Sequence, residues 1–265
     1  VADLNASSPG YSEYASLSAN GGEGWLPIGS ESSRSFQGSF NGNGFTISDV
    51  KIDRSSDDFL GLFGHVDGSG IFKNLTLDSF NITGSGNVGN LIGQIEENAS
   101  SHLTFINIVV TNSVLVADYD TGGLIGVLQS SATLRNITTS IIIINSNESG
   151  GLIGQVNGSS VSTLHLEDVA SFGKIGSDTD SVSESGGFIG DIDANEELKV
   201  TIDSAINHMD IYGGNEIGGL IGYIDTADDV TITNSYNYGN INGSENEVGG
   251  FVGESDELLT ILSSE

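Results

Sequence analysis

Carboxylates are the one reactive group that this sequence supplies both in number and at regular spacing. A recurring glycine is followed three residues later by Asp67, Glu96, Gln129, Asn157, Asp193, Asp225 and Asp256. If these positions stack, their carboxylates stand about 4.8 Å apart and repel, and a hard cation such as Ca2+ would relieve them. Asp67, Asp193, Asp225 and Asp256 are then candidate calcium ligands, with Asp178, Asp180, Asp191, Asp228 and Asp229 as acidic neighbours. A simpler account is local, because Asp and Asn start turns by bonding their own backbone and need no ligand for it. No stretch matches a calcium loop of the EF-hand or Gly-rich nonapeptide type.

Catalytic patterns are missing. His65, His102, His165 and His208 are isolated in sequence, with no His or Glu partner at the spacing of a metal-binding helix. No Gly-x-Ser-x-Gly elbow suits a strand-to-helix turn. Asp191 and Asp193 share one strand face, as the paired acids of a glycosidase or lyase could, but acids are too common here for the pair to inform. Arg34, Arg54 and Arg135 lie far apart, which argues against a cleft for acidic sugars. The single Thr-x-Thr phrase, Thr231-Ile232-Thr233, is too little for an ice-binding row. No catalytic or cofactor-binding residue is assigned, calcium apart, and the expectation is a protein that is not an enzyme.

The elements that position these acids follow from composition. The 265 residues include 38 Gly, 2 Pro and no Cys, and 36 acidic against 7 basic residues give a net charge of −29. Such a polyanion is repelled by phosphate backbones, so nucleic acid is not an expected partner. No apolar run nears the roughly 18 residues of a membrane helix; Ile141 to Ile144 is the longest candidate. The start at Val1 reads as a processed or trimmed chain. The acidity fits a secreted surface protein or life in high salt. Polar positions are mostly Ser, Thr, Asn, Asp and Gly, all poor in helix interiors, while Ile, Val and Leu come in short runs between turn residues.

One phrase recurs along the chain. It reads Gly61-Leu62-Phe63-Gly64, Asn90-Leu91-Ile92-Gly93, Gly123-Leu124-Ile125-Gly126 and Gly151-Leu152-Ile153-Gly154, then Gly187-Phe188-Ile189-Gly190, Gly219-Leu220-Ile221-Gly222 and Gly250-Phe251-Val252-Gly253. Its final glycines are 29, 33, 28, 36, 32 and 31 residues apart. A second phrase, Leu-x-Asn, opens the units, as at Asn74, Asn136 and Asn234. Units of about 31 residues are too short for their own core but suit one solenoid coil of three short strands. The expected fold is therefore all-β: a parallel β-helix of about seven to eight coils. The glycines would supply a turn with positive φ or a close approach between coils. Within a strand such as Val88 to Ile95, alternation puts Gln94 outside, yet the Ile92 position is always apolar. Either an aliphatic stripe is exposed for a partner, or a corner at the glycines turns both neighbours inward; the corner is the simpler account.

These repeats resemble the GLUG motif of bacterial surface adhesins and of the non-catalytic part of some immunoglobulin A1 proteases. Upstream, Trp25-Leu26-Pro27-Ile28-Gly29 and the stretch Phe36 to Val50 resemble the opening of such domains, with Asn41 and Phe45 where the family usually has Asp and His. The resemblance covers about residues 25–257 and implies an extracellular, surface-exposed β-helix. Residues 1–265 are read as one domain: 1–24 a cap or partner-contacting segment, 25–257 the coils, 258–265 an incomplete terminal coil. The expected function is an extracellular structural or adhesive protein, assembling head to tail through Leu258, Leu259, Ile261 and Leu262, with host or cell-surface glycans as further partners. A β-helix carbohydrate-active enzyme and a passive spacer within a larger adhesin are the rivals. Eight sequons, at Asn5, Asn74, Asn81, Asn98, Asn136, Asn147, Asn157 and Asn242, are candidate glycosylation sites. Asn74 and Asn136 could instead form an amide ladder.

Overall fold

The computed structural model describes residues 3–177 and 182–265; Asp178 and Asp180 lie outside the described residues. The chain winds as a parallel β-solenoid of about seven turns with three sheets. One sheet has seven strands, Phe63–Val66, Ile92–Ile95, Ile125–Leu128, Ile153–Asn157, Ile189–Asp193, Ile221–Thr226 and Val252–Ser255. A second has six two-residue strands, from Val88–Gly89 to Val248–Gly249. The third carries the long strands, among them His102–Val116, Ser131–Ile144 and Thr163–Ile175. Helix is confined to Tyr11–Tyr14 and two short 3-10 turns among the described residues.

Register keeps like residues over like. Phe63, Ile92, Ile125, Ile153, Ile189, Ile221 and Val252 stack as successive partners, and all but Val252 are fully buried. Burying each such side chain is worth about 1.5–3 kcal/mol, so one repeated position stabilises every coil. The corner account of the Ile92 column is correct, since Leu91 and Ile92 both point into the core. The Gln94 column is not outside, as simple alternation has it. His65, Val127 and Asp191 are buried there, because the neighbouring corner folds over this face.

The glycines of the repeat work by close approach and not by positive φ. A methyl added to Gly154 would lie 2.6 Å from the carbonyl carbon of Asp120 and 2.7 Å from the Gly126 oxygen. Left-handed backbone is instead taken mostly by Asn, Asp, Glu and Ser, and two of the stacked columns they form are long. One is Asn74, Asn107, Asn136, Asp168, Ser204 and Asn234; the other is Phe59, Asn87, Asp120, Glu148, Glu184, Glu216 and Glu247. In the first column the kink resets side-chain alternation. Leu103 and Phe105 are buried before Asn107, and Ile108 and Val110 after it.

The segment before Trp25 lies on the first coil. Leu4 pairs beside Ile47, and the Tyr11 hydroxyl donates to the Asp49 carbonyl at 2.6 Å. At the other end Leu259–Leu262 pairs along Asp229–Thr233.

Candidate functional site

The second left-handed column makes the most chemically charged feature of the rod. Each member from Asn87 onward immediately precedes a strand of the second sheet, and backbone bonds from the following residue join one coil to the next. Thr121 N–H donates to the Glu148 carbonyl at 3.2 Å, Ser149 to Glu184 at 3.1 Å, Ser185 to Glu216 at 3.1 Å and Ile217 to Glu247 at 2.9 Å. Five consecutive coils thus hold Asp120, Glu148, Glu184, Glu216 and Glu247 in one row. The carboxyl of Glu148 is within hydrogen-bond reach of Asp120 and of Glu184, and Glu184 is within reach of Glu216. The column of Gln94 runs alongside. Asn87 donates to Gln94 at 3.2 Å, and further along this column supplies Asp191 and Glu254.

Burial and like charge act together on this row. Burial first, then the Glu148 and Asp191 charges, push the Asp120 carboxyl up to about 7. Burial raises Asp191 to about 7 against one opposing bond from Gln155, and raises Glu184 to about 8 with help from Asp191 and Glu148. Glu216 and Glu254 are raised too. None of these seven acids meets a Lys, Arg or His among the ion pairs of the described residues.

The four aspartates singled out from sequence do not share a site. Asp67 accepts from Gln37 and Asn98 and is separated from Asp193 by Glu96, Gln129 and Asn157. Register slips by one after Ile192, so Asp193 partners Thr226 and not Asp225. Asp225 and Asp256 are brought together, both accepting from the Tyr223 hydroxyl at 3.3 and 3.1 Å. Asp228 pairs with Lys199, and Asp229 accepts from Thr231. Two of the histidines are less isolated than their spacing shows, one through a partner from the next coil and one through a neighbour on its own strand. His65 meets Glu96 and packs on Phe59, and His165 lies near Glu167.

Of the sequon residues, Asn74 and Asn136 belong to an exposed amide ladder. Asn136 donates to Asn107 at 2.8 Å, Asn107 to Asn74 at 3.1 Å and Asn74 to Asn41 at 3.2 Å. Asn98 donates to Asp67 and Asn157 accepts from Gln129. Asn5 and Asn147 accept backbone amides of Ser7 and Ser183. Asn81 and Asn242 are exposed. At the terminal strand Leu258 and Leu262 are more than half exposed and Ile261 slightly less, while Leu259 packs against the core.

A second surface feature has no counterpart in the sequence reading. On the third sheet Phe172, His208 and Tyr238 stack on successive coils, with ring centroids 4.9 and 5.1 Å apart. Tyr236 lies parallel to Tyr238 at 6.0 Å, and all but Tyr236 are exposed.

No family model matches the sequence. Over 122 residues, 46% of the chain, it is 38% identical to the halomucin of Haloquadratum walsbyi, of which it covers 1%. Over 66 residues, 25% of the chain, it is 42% identical to a protein of Evansella cellulosilytica provisionally described as a Gly-rich membrane protein, of which it covers 8%. The chain thus spans a small part of the curated relatives it matches. Its fold is similar to the solved structure of a Bacteroides ovatus protein provisionally described as an immunoglobulin A1 protease. The TM-score is 0.57 at 14% identity, over 99% of this chain and 76% of that one. At that identity the likeness is one of fold alone.

Proposed function

We propose that this chain is a structural and adhesive rod of an extracellular surface protein, of the GLUG-repeat kind, and not a catalyst. The observation that carries this reading is the continuous coil-to-coil strand pairing of all three sheets, interrupted only by local register slips, which makes a stiff spacer from a simple repeat. The names of the two curated relatives, a mucin and a membrane protein, accord with a place at the cell surface. The acids Asp191 and Asp193 do not resemble a glycosidase pair. Asp191 is buried against Gln155, while Asp193 is exposed at the strand end.

Adhesion has a candidate surface in the Phe172, His208 and Tyr238 row, whose rings cover one another's faces and present a continuous stripe of ring edges to solvent, with apolar and polar groups in reach of a glycan. End-to-end continuation has one as well. A methyl on Gly123, Gly151, Gly187 or Gly219 would lie 2.0–2.2 Å from the next coil's glycine carbonyl, whereas Gly250 has nothing within 4 Å. Gly250 and Leu259–Leu262 therefore form a face on which a further coil fits, from the same polypeptide or a second copy.

Antibody against this segment should label intact, unpermeabilised cells; labelling only after lysis overturns the surface reading. For the assembly, light scattering and electron microscopy should show end-to-end rods that Gly250→Ala shortens. Rods of equal length in that variant would refute in-register docking. Turnover of acidic or neutral polysaccharides that is lost with one carboxylate substitution would restore the enzyme.

A further inference from the structure

We infer that the carboxylate row Asp120, Glu148, Glu184, Glu216 and Glu247, flanked by Asp191 and Glu254, binds hard divalent cations, calcium in particular. This goes beyond the surface-rod reading and stands or falls separately from it.

Two of these carboxylates each keep one oxygen without a partner where water cannot reach it. Asp191 is 4% exposed and Asp120 9%, and the Oδ1 atom of each is buried without a hydrogen bond. An orphaned acceptor of this kind is costly to bury. The charges of Glu148 and Asp191 bear on Asp120, and those of Asp193, Glu148 and Asp225 bear on Asp191, so each orphan oxygen belongs to a carboxyl set among further acids. Gln155 supplies one bond to Asp191 Oδ2 at 3.1 Å and nothing to Oδ1. A backbone or side-chain donor would satisfy one atom and leave the repulsion in place, whereas a bound cation removes both costs.

The C-terminal end of the row gathers three carboxylates closely enough to share one cation. One carboxylate oxygen from each of Glu216, Glu247 and Glu254 lies within 4.8 Å of the others. Oxygens on opposite sides of Ca2+, at 2.3–2.6 Å each, are up to about 5 Å apart, so such a group can share one calcium ion, and calcium's flexible coordination accepts carboxylates that are not set at the corners of an octahedron, as magnesium demands. Three hard oxygen donors with solvent beside them leave positions for water, as calcium accepts.

Equilibrium dialysis of the full chain against CaCl2 at about pH 8, with NaCl adjusted to hold ionic strength constant, tests this. Saturable uptake is expected, with a rise in Tm beyond that given by NaCl. Glu216→Gln and Glu148→Gln should each weaken uptake by about tenfold or more, at the end and the middle of the row. Asp67→Asn, on the neighbouring column, should change it by less than about twofold. The glutamine variants relieve repulsion, so in chelator they should melt no lower than the parent, and lost uptake then reports lost ligands. No bound calcium, equal protection by NaCl, or uptake unchanged in both glutamine variants overturns the site. Equal affinity for magnesium overturns the assignment to calcium.

Discussion

The Thr121 amide donates to the carbonyl of Glu148 at 3.2 Å, across one turn of the solenoid. That single bond sets the side chains of Asp120 and Glu148 carboxyl to carboxyl, because both residues hold the same left-handed corner, at φ 51° and 44°. The rod is thus held together by a ladder whose side chains oppose it.

In chelator, stability should fall as pH rises. Asp120 and Asp191 are raised to about 7 and Glu184 to about 8, so the folded chain binds protons more tightly than the unfolded one. The stability they supply is full below the ordinary carboxylate range and is lost as pH climbs through about 7 to 8. Asp78 and Asp203, held below their usual values by neighbouring Asn and Thr donors, act oppositely and lose their contribution in acid. Tm should peak near about pH 5 and drop by several degrees toward about pH 9, at roughly 2–4 °C per kcal/mol. A flat melting profile over this range would contradict the buried row.

Close approach of coils should make Gly190→Ala damaging. Its methyl would meet the Glu148 carbonyl carbon at 2.4 Å and the Gly154 oxygen at 2.5 Å, both backbone atoms that cannot swing away. Overpacking of this kind costs about 1–3 kcal/mol. Gly250→Ala, in open space, should stay within about 0.5 kcal/mol of the parent. Urea titration compares the two, and equal losses would mean that the glycines serve some other purpose.

Much of the coil is legible in the glycine phrase, because a steric demand that recurs at every turn selects Gly at every turn. The inward-facing Ile92 and half-covered Gln94 are legible only in part. Two-residue strands put a corner so close that period-two alternation fails. The acidic row has a sequence signal of its own, an acid six residues before the final glycines 126, 154, 190, 222 and 253. Counting forward from the glycine finds Asp67, Asp193, Asp225 and Asp256 and passes over it. Contacts such as His65 with Glu96, 31 residues apart, become visible only once coil lengths are known.

The exposed amide ladder should contribute through backbone shape as well as bonds. Asn107 has φ 55° and joins Asn74 and Asn136. Asn107→Ala loses both effects and should cost about 1–2 kcal/mol, while Asn107→Gly keeps the conformation and loses only the bonds. Chemical denaturation should therefore rank parent, Gly and Ala in falling order. If Gly is no better than Ala, the left-handed corner is not what Asn supplies.

The ring row permits a separation of binding from stability. Phe172, His208 and Tyr238 are exposed, and Tyr238, at 61%, is the most open of the three. Truncating a side chain so placed removes little buried area, so Tyr238→Ala should shift stability by no more than about 0.5 kcal/mol. A sugar lying along the row would lose one of its ring contacts, and a ring contact is worth about 0.5–1.5 kcal/mol beyond area. Affinity for a glycan found by array screening should therefore fall roughly two- to tenfold in Tyr238→Ala, and further when Phe172→Ala is added. Substituting the exposed Tyr14, which lies on the first coil away from the row, should leave that affinity unchanged. A glycan whose binding responds to Tyr14 as much as to Tyr238 is not held by the row, and the adhesive surface must then be sought elsewhere on the rod.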